Sequence, residues 1–162
     1  MQQQSEVLRK FPEERIRLFV VIPVYGNWGD TLNCVRDLSR QSHRDFRVLL
    51  ADDGSTEPPP VEIMDGPFVH YMRFPHRGFA GNCNAGATEA IQLGATHLLF
   101  LNSDTSFSHE YIAGWSQAIV DRPASILSAM IYFYDDPKKI WYSGGKKTIL
   151  TPFFRITKKH KE

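Results

Sequence analysis

Four short segments carry side chains whose types and spacing suit work on a polar, anionic ligand. Asp52-Asp53-Gly54-Ser55 sets two acids in succession after the apolar run Phe46 to Ala51, and Asn102-Ser103-Asp104 follows the run His97 to Leu101. Acids at the ends of two buried strands can hold a hard cation through oxygen or accept hydrogen bonds from a polar ligand. Magnesium or manganese, satisfied by one or two carboxylates plus substrate phosphates, suits so sparse a set, with Asp104 as its ligand. The same spacing allows Asp104 or Ser106 simply to cap the next helix. Asp52-Asp53 has a plain use as well, the start of a type I turn. A turn needs only one Asp, which leaves the other for a base or ribose. The third segment, Arg77-Gly78-Phe79-Ala80-Gly81-Asn82-Cys83-Asn84-Ala85-Gly86, is small and polar. It would let a phosphate approach backbone at a helix N-terminus, and close helix–sheet packing would ask for the same residues. The fourth, Pro23-Val24-Tyr25, closes an apolar run.

Other chemistries find less support. Glycines at 78, 81 and 86 do not have the dinucleotide-binding spacing, and no Gly-Lys-Ser/Thr follows as in a phosphate-binding P-loop. His43, His70, His76, His97, His109 and His160 show no metal-ligand spacing. Cys34 falls in the apolar stripe of an expected helix and reads as buried filler. Cys83, near an expected helix start, would gain reactivity there but has no His beside it in sequence. Trp28 and Trp115 read as packing residues.

These segments need elements to position them. Arg17 to Val24, Phe46 to Ala51 and His97 to Leu101 are short apolar runs and read as buried strands. Phe68 to Phe74, Ile126 to Tyr134 and Ile140 to Tyr142 are expected as further strands. Helices are expected over Asp30 to Gln41 with Asp30 as cap, over Ala87 to Leu93 after a Gly/Asn-rich loop, and from Ser108 to about Val120. The alternation implies an α/β layered domain, a mostly parallel sheet with helices on both faces. Ligands of such sheets bind beyond the carboxyl ends of the strands, where the polar segments fall.

Composition sets the bounds. The chain has 162 residues, 42% hydrophobic and 23% charged, enough for one buried core. A net charge of +1 argues against a dedicated nucleic-acid binder. No apolar run approaches a membrane span, and the polar opening Met1-Gln2-Gln3-Gln4-Ser5-Glu6 leads to no signal-peptide core. Two cysteines make neither a disulfide framework nor a zinc site, which points to a reducing, cytoplasmic compartment. Residues 138–162 hold eight basic residues against the single acid Glu162. Such an arm suits a solvated terminus or a peripheral contact with an anionic membrane surface.

Taken in order, these blocks resemble the donor-binding half of a family 2 glycosyltransferase with the GT-A fold. Val20-Val21-Ile22-Pro23-Val24-Tyr25 resembles the family's opening strand, and Leu50-Ala51-Asp52-Asp53-Gly54-Ser55-Thr56 its "DDGS" block. Arg77 to Gly86 resembles its "GFAxxxNxG" block. Leu101-Asn102-Ser103-Asp104-Thr105 resembles the DxD-type metal motif in the "NxD" form of rhamnosyltransferase-like members. Ile140-Trp141-Tyr142-Ser143-Gly144-Gly145 resembles a segment those members carry later. The resemblance covers residues 17–145, between a polar lead-in (1–16) and a basic tail (146–162). It implies a nucleotide-diphosphate sugar donor and Mg2+ or Mn2+ at Asp104. It implies a donor site bordered by Pro23, Val24, Tyr25, Asp52, Asp53, Arg77, Gly78, Asn82, Asn102, Ser103 and Asp104. The acceptor, glycan or lipid-linked, is open, and cell-surface polysaccharide synthesis is the expected setting. Asn102 replaces the first acid of the DxD, and no later acid (Glu110, Asp121, Asp135, Asp136) matches the family's general base. The expectation is thus a C-terminally truncated donor half, with two alternatives: a non-catalytic nucleotide-sugar-binding or interaction module, or half of a split enzyme completed by a second chain. A pyrophosphorylase-like nucleotidyltransferase ranks below these, since Gly26-Asn27-Trp28-Gly29-Asp30 has no basic residue.

Overall fold

The computed structural model describes residues 16–64, 68–123, 125–147 and 154–156, without side chains for the last two strands. The chain divides into two compact units, Met1–Gln117 and Ala118–Glu162.

The first unit is built on a four-stranded, wholly parallel sheet. Its strands are β1 (Leu18–Val24), β2 (Phe46–Asp52), β3 (Val69–Arg73) and β4 (His97–Phe100), ordered β3-β2-β1-β4. Helix α1 (Trp28–Ser39) connects β1 to β2, and α3 (Gly78–Gln92) carries the chain from β3 back across to β4. These crossovers run in opposite directions along the sheet. Right-handed connection therefore places α1 and α3 on opposite faces. Strand alternation agrees: Phe19, Val21, Leu49 and Ala51 pack with Ala90 of α3, while Val20, Ile22, Val48 and Leu50 are buried on the other face.

Because the strands are parallel, all their carboxyl ends lie on one edge, with Val24 paired to Asp52 and Asp52 to Arg73. β4 stops sooner. Leu101 N–H donates to the Val21 carbonyl (3.0 Å), and the next donor on that side of β1 would come from Pro23, which has none. The chain is released from the sheet there, and Asn102-Ser103-Asp104 forms a loop.

Several expectations shift. The Gly/Asn-rich segment is no loop: α3 begins at Gly78 and takes in all of it. Gly86 explains why. A Cβ there would meet Val21 Cγ1 at 2.8 Å and Ala51 Cβ at 3.0 Å, so the small residues let helix and sheet close up. Asp30 does not cap α1; Asn27, left-handed at φ 50°, is the cap, and Asp30 accepts from its Nδ2 (2.7 Å) within the first turn. The helix expected from Ser108 starts at Tyr111 (α4, Tyr111–Asp121). Tyr111 N–H donates to the Ser108 carbonyl (3.1 Å), and neither Asp104 nor Ser106 reaches that helix start. A short helix α2 (Val61–Met64), unforeseen after the proline loop, seats buried Ile63.

In the second unit, the strand expected over Ile126 to Tyr134 shrinks to β5 (Ile131–Tyr132), paired antiparallel with β6 (Ile140–Tyr142). A strand needs a ladder as well as apolar residues. The Asp135–Lys139 turn closes the hairpin here, Phe133 N–H donating to the Lys139 carbonyl (3.0 Å) and Lys139 N–H to that of Asp136 (2.9 Å). Strands β7 (Gly145–Lys147) and β8 (Phe154–Ile156) form a second antiparallel pair. Among the described residues, no helix is long and apolar enough to cross a membrane.

Candidate functional site

The two successive acids at the end of β2 point to different neighbours, as alternation requires. Asp52, 1% exposed, lies on the face shared with Tyr71 and Arg73 of β3. Its Oδ1 accepts from Ser55 N–H (2.8 Å) and Ser55 Oγ (2.5 Å). Its Oδ2 accepts from the Tyr71 hydroxyl (2.7 Å) and faces Arg73 Nε at 3.8 Å. Burial first, and the bond to Asp52 second, push the Tyr71 phenol up to about 12. Arg73 also donates to the Ser55 carbonyl (2.8 Å), and Gly26 N–H to Ser55 Oγ (2.8 Å), tying the β1 and β2 ends together. Trp28 is buried, as its packing role requires, and its Nε1 donates to the Glu57 carbonyl (3.0 Å).

Asp53, 3% exposed, turns instead to α3. It accepts Arg77 N–H (2.7 Å) at Oδ1 and Gly78 N–H (2.9 Å) at Oδ2, and His76 Nδ1 lies 2.9 Å from Oδ2. It is a helix cap supplied from a remote strand, with its charge at the positive end of the macrodipole. The anion at this helix start is the protein's own carboxylate. A simple turn would leave one of the two acids for a ligand; here both have several protein partners. Gly54 makes the arrangement possible: at φ +81° it passes against the next loop, where a Cβ would sit 3.3 Å from His76 N.

Asn82 is buried within α3 and donates Nδ2 to the Ala51 carbonyl (2.6 Å), pinning the helix to β2 just below the acids, while its Oδ1 has no partner among the described residues. The Arg77 side chain is exposed, its guanidinium 5.7 Å from the Phe74 ring. Tyr25 is 63% exposed beyond β1, with Pro23 half-buried and Val24 buried beneath it.

Across the edge, Asn102 and Asp104 are exposed and Ser103 half-buried. The loop rests on α1, where Cys34 Sγ lies 3.9 Å from the Asn102 carbonyl. Burial, then the Asp37 and Asp104 carboxylates, push the Cys34 thiol up to about 12, which agrees with filler and not a nucleophile. Asp104 makes no hydrogen bond or ion pair among the described residues, in contrast to Asp52 and Asp53. No group of three His, Cys, Asp or Glu gathers for a metal among the described residues. One partnerless carboxylate beside amide and hydroxyl oxygens suits a hard cation that takes most of its ligands from substrate and water, not a protein-enclosed metal.

Cys83 departs from expectation. With α3 starting at Gly78 it lies beyond the first turn, and burial raises its thiol instead of activating it. Sequence reading missed Tyr71, Arg73 and His76. The signal for Tyr71 and Arg73 was the alternation of β3, which sets them on one face beside Asp52. His76 carried no comparable signal.

The sequence profile described as Glycosyl transferase family 2 matches residues 19–161. The chain is 25% identical over 130 residues to Glycosyltransferase GlyG of Streptococcus pneumoniae, covering 76% of this chain and 42% of that protein. It is 27% identical over 103 residues to the uncharacterized glycosyltransferase RC0461 of Rickettsia conorii, covering 59% and 16%. It therefore spans less than half the length of these relatives. Among solved structures, the crystal structure of S. aureus TarS 1-349 superposes with a TM-score of 0.53 at 20% identity, over 65% of this chain and 33% of that one, a likeness of fold. The parallel sheet with its loaded carboxyl edge is thus a GT-A sheet, and the chain belongs to glycosyl transferase family 2.

Proposed function

We propose that the chain binds a nucleotide-diphosphate sugar at the carboxyl edge of the sheet, as donor for transfer to a glycan or lipid-linked acceptor. The observation that carries this is the exposed Asp104 carboxylate, without a partner among the described residues, on the edge where Asp52 and Asp53 are fully engaged. Pro23, Val24 and Tyr25 border the nucleoside, and Asp52 and Asp53 orient that side through the groups they hold. Arg77 faces the diphosphate, a guanidinium being suited to bidentate phosphate contact. Gly78 and Asn82 keep the backbone beside it low and fixed. Asn102, Ser103 and Asp104 border the sugar-phosphate side and are the oxygen donors that would hold Mg2+ or Mn2+. Such a cation neutralises charge developing on the leaving diphosphate. An edge already carrying three carboxylates accepts a diphosphate only with that charge offset. The rhamnosyltransferase-like character rests on the Asn102-Ser103-Asp104 form and on Ile140 to Gly145, cytoplasmic placement rests on the two cysteines that make no disulfide framework, and peripheral membrane contact rests on the basic tail.

The test is calorimetric titration of the chain with uridine, guanosine and thymidine diphosphates in Mn2+ or in chelator. Binding that needs metal and is lost in Asp104→Ala supports the reading. Binding untouched by Asp104→Ala removes Asp104 from the site.

A second reading has its own observation. The second unit exposes Ile126, Met130, Ile131, Tyr132, Tyr134 and Trp141, an apolar set of the kind that associates. This favours a donor module completed by a second chain. Light scattering showing a monodisperse monomer would count against it.

A further inference from the structure

The amino ends of the strands lie about 20 Å along β1 from the carboxyl edge, and the donor reading makes no use of them. An open cavity of about 780 Å³ lies there, formed by the starts of β1, β2 and β3 and the end of α3. Leu18, Phe19 and Phe46 are its buried floor, and Phe46 meets Phe68 edge-on with centroids 6.0 Å apart. Arg17, Arg44 and Arg47 line it with a single acid, Asp45, among the described residues. The surroundings have the opposite balance: residues 16–64 and 68–117 hold seven arginines and no lysine against ten acids. Structure accounts for one of the three arginines, since Arg44 Nη1 donates to the Ser39 carbonyl. Arg17 and Arg47 are exposed, and their guanidinium groups make no hydrogen bond or ion pair among the described residues. Arg17 is not needed to cap α3, which it meets at Gly94, where a Cβ would lie 3.7 Å from its Cζ. The Glu89, Ala90 and Ile91 carbonyls at that helix end already accept from Leu93, Ala95 and Gly94 N–H. Backbone fixes both positions. Arg17 N–H donates to Thr96 Oγ1 (2.9 Å), and its carbonyl accepts from Thr96 and His97 N–H (3.1 and 3.3 Å). Arg47 pairs with Phe19 in the β1–β2 ladder, on the face toward α3, and His70 shares that face through its register with Leu49. His70 also lines the cavity; its buried Nε2 has no hydrogen-bond partner among the described residues and lies 3.7 Å from Glu89 Oε1.

We infer that this cavity is a second anion site, which binds a ligand carrying two or more phosphate groups through Arg17 and Arg47, independently of the carboxyl edge. Each guanidinium presents a planar fork that matches a phosphate bidentately. A phosphate near two negative charges gains more from such a fork than a singly charged carboxylate does. With the backbone already fixed at both positions, only side-chain freedom is lost on binding. A soluble polyphosphorylated molecule and a phospholipid headgroup offer the same chemistry, and the experiment separates them.

The experiment titrates the whole chain calorimetrically with inorganic tripolyphosphate at low salt, in chelator, so that metal-dependent binding at the carboxyl edge does not contribute. Binding is expected, and it should weaken as salt rises. Arg17→Gln and Arg47→Gln, both at exposed positions, should each lower affinity by about tenfold. Circular dichroism checks that both variants remain folded. A folded chain that binds no tripolyphosphate overturns the inference. Binding that both variants leave unchanged belongs to the lysines of residues 138–161 and overturns it as well. So does a loss in Arg77→Gln that matches the loss in Arg17→Gln, because it moves the anion to the carboxyl edge. Once the arginine dependence is established, co-sedimentation with phosphatidylcholine vesicles, with and without phosphatidylinositol bisphosphate, names the source. Lipid-dependent sedimentation that Arg17→Gln and Arg47→Gln reduce makes the ligand a headgroup, and sedimentation they leave unchanged makes it soluble; either result supports the site. Failure of this inference leaves the donor reading standing, since the two share no residue.

Discussion

Asp53 holds the start of a helix from a different strand, and its removal gives the sharpest test of how the site is built. In Asp53→Ala, Arg77 N–H and Gly78 N–H lose an acceptor at 2.7 and 2.9 Å, and His76 loses its anchor. Loss of a helix cap costs about 0.5–2 kcal/mol, and hydrogen bonds to a charged group contribute about 1.5–3 kcal/mol. Water reaches the exposed Arg77 side of the helix start and offsets part of this, so about 2–3 kcal/mol is the net expectation. For a chain of this size that lowers Tm by about 6–10 °C. Asp53→Asn keeps one acceptor and turns an NH2 group toward the other donor, so about half that fall is expected. Thermal unfolding followed by circular dichroism reads the shift, and hydrogen exchange should show the Gly78 amide losing protection first. A Tm for Asp53→Ala within about 1 °C of the unmodified chain would refute the capping role.

Other perturbations follow from the same geometry. Gly86→Ala should destabilise by about 1–2 kcal/mol despite its gain in helix propensity, because the added methyl meets Val21 at 2.8 Å and Ala51 at 3.0 Å; a urea midpoint at or above the parent's would contradict it. Stability should be fully present below pH 9 and fall as pH rises toward 12. Cys34 moves from 9.0 to about 12 and Tyr71 from 10.0 to about 12 on folding, so both ionise first in the unfolded chain. Urea midpoints at pH 8 and 11 test this, and an unchanged or higher value at pH 11 would contradict it. The raised Cys34 and Cys83 thiols should also resist alkylation at pH 8 until the chain is unfolded, with Cys83, the less buried, reacting first.

The sheet was legible because its two central strands, β1 and β2, are short apolar runs buried on both faces, a pattern that parallel sheets impose, while β3 and β4 at its edges are only partly buried. Beyond them the signals conflict. Gly78 to Gly86 has the composition of a loop, and only the approach of Gly86 to Val21 and Ala51 shows why a helix tolerates it. Ile126 to Tyr134 is apolar enough for a long strand, but the turn at Asp135–Lys139 limits the ladder to Ile131–Tyr132. In the sequence, residue types gathered the polar segments on one edge of the sheet but not the division of labour among them. Two adjacent acids look alike in sequence. Strand alternation sends Asp52 to Ser55, Tyr71 and Arg73, and the chain beyond the strand sends Asp53 to the start of α3. Hydrogen bonds that cross about twenty residues of chain leave no local trace.

The measurement that bears most directly on the account is a thermal shift of the whole chain against nucleoside diphosphates and their sugars, in Mn2+ and in chelator. The account predicts one cooperative transition, raised by one class of nucleotide with metal and not raised in chelator. A cooperative transition that no nucleotide moves, with or without metal, would contradict it.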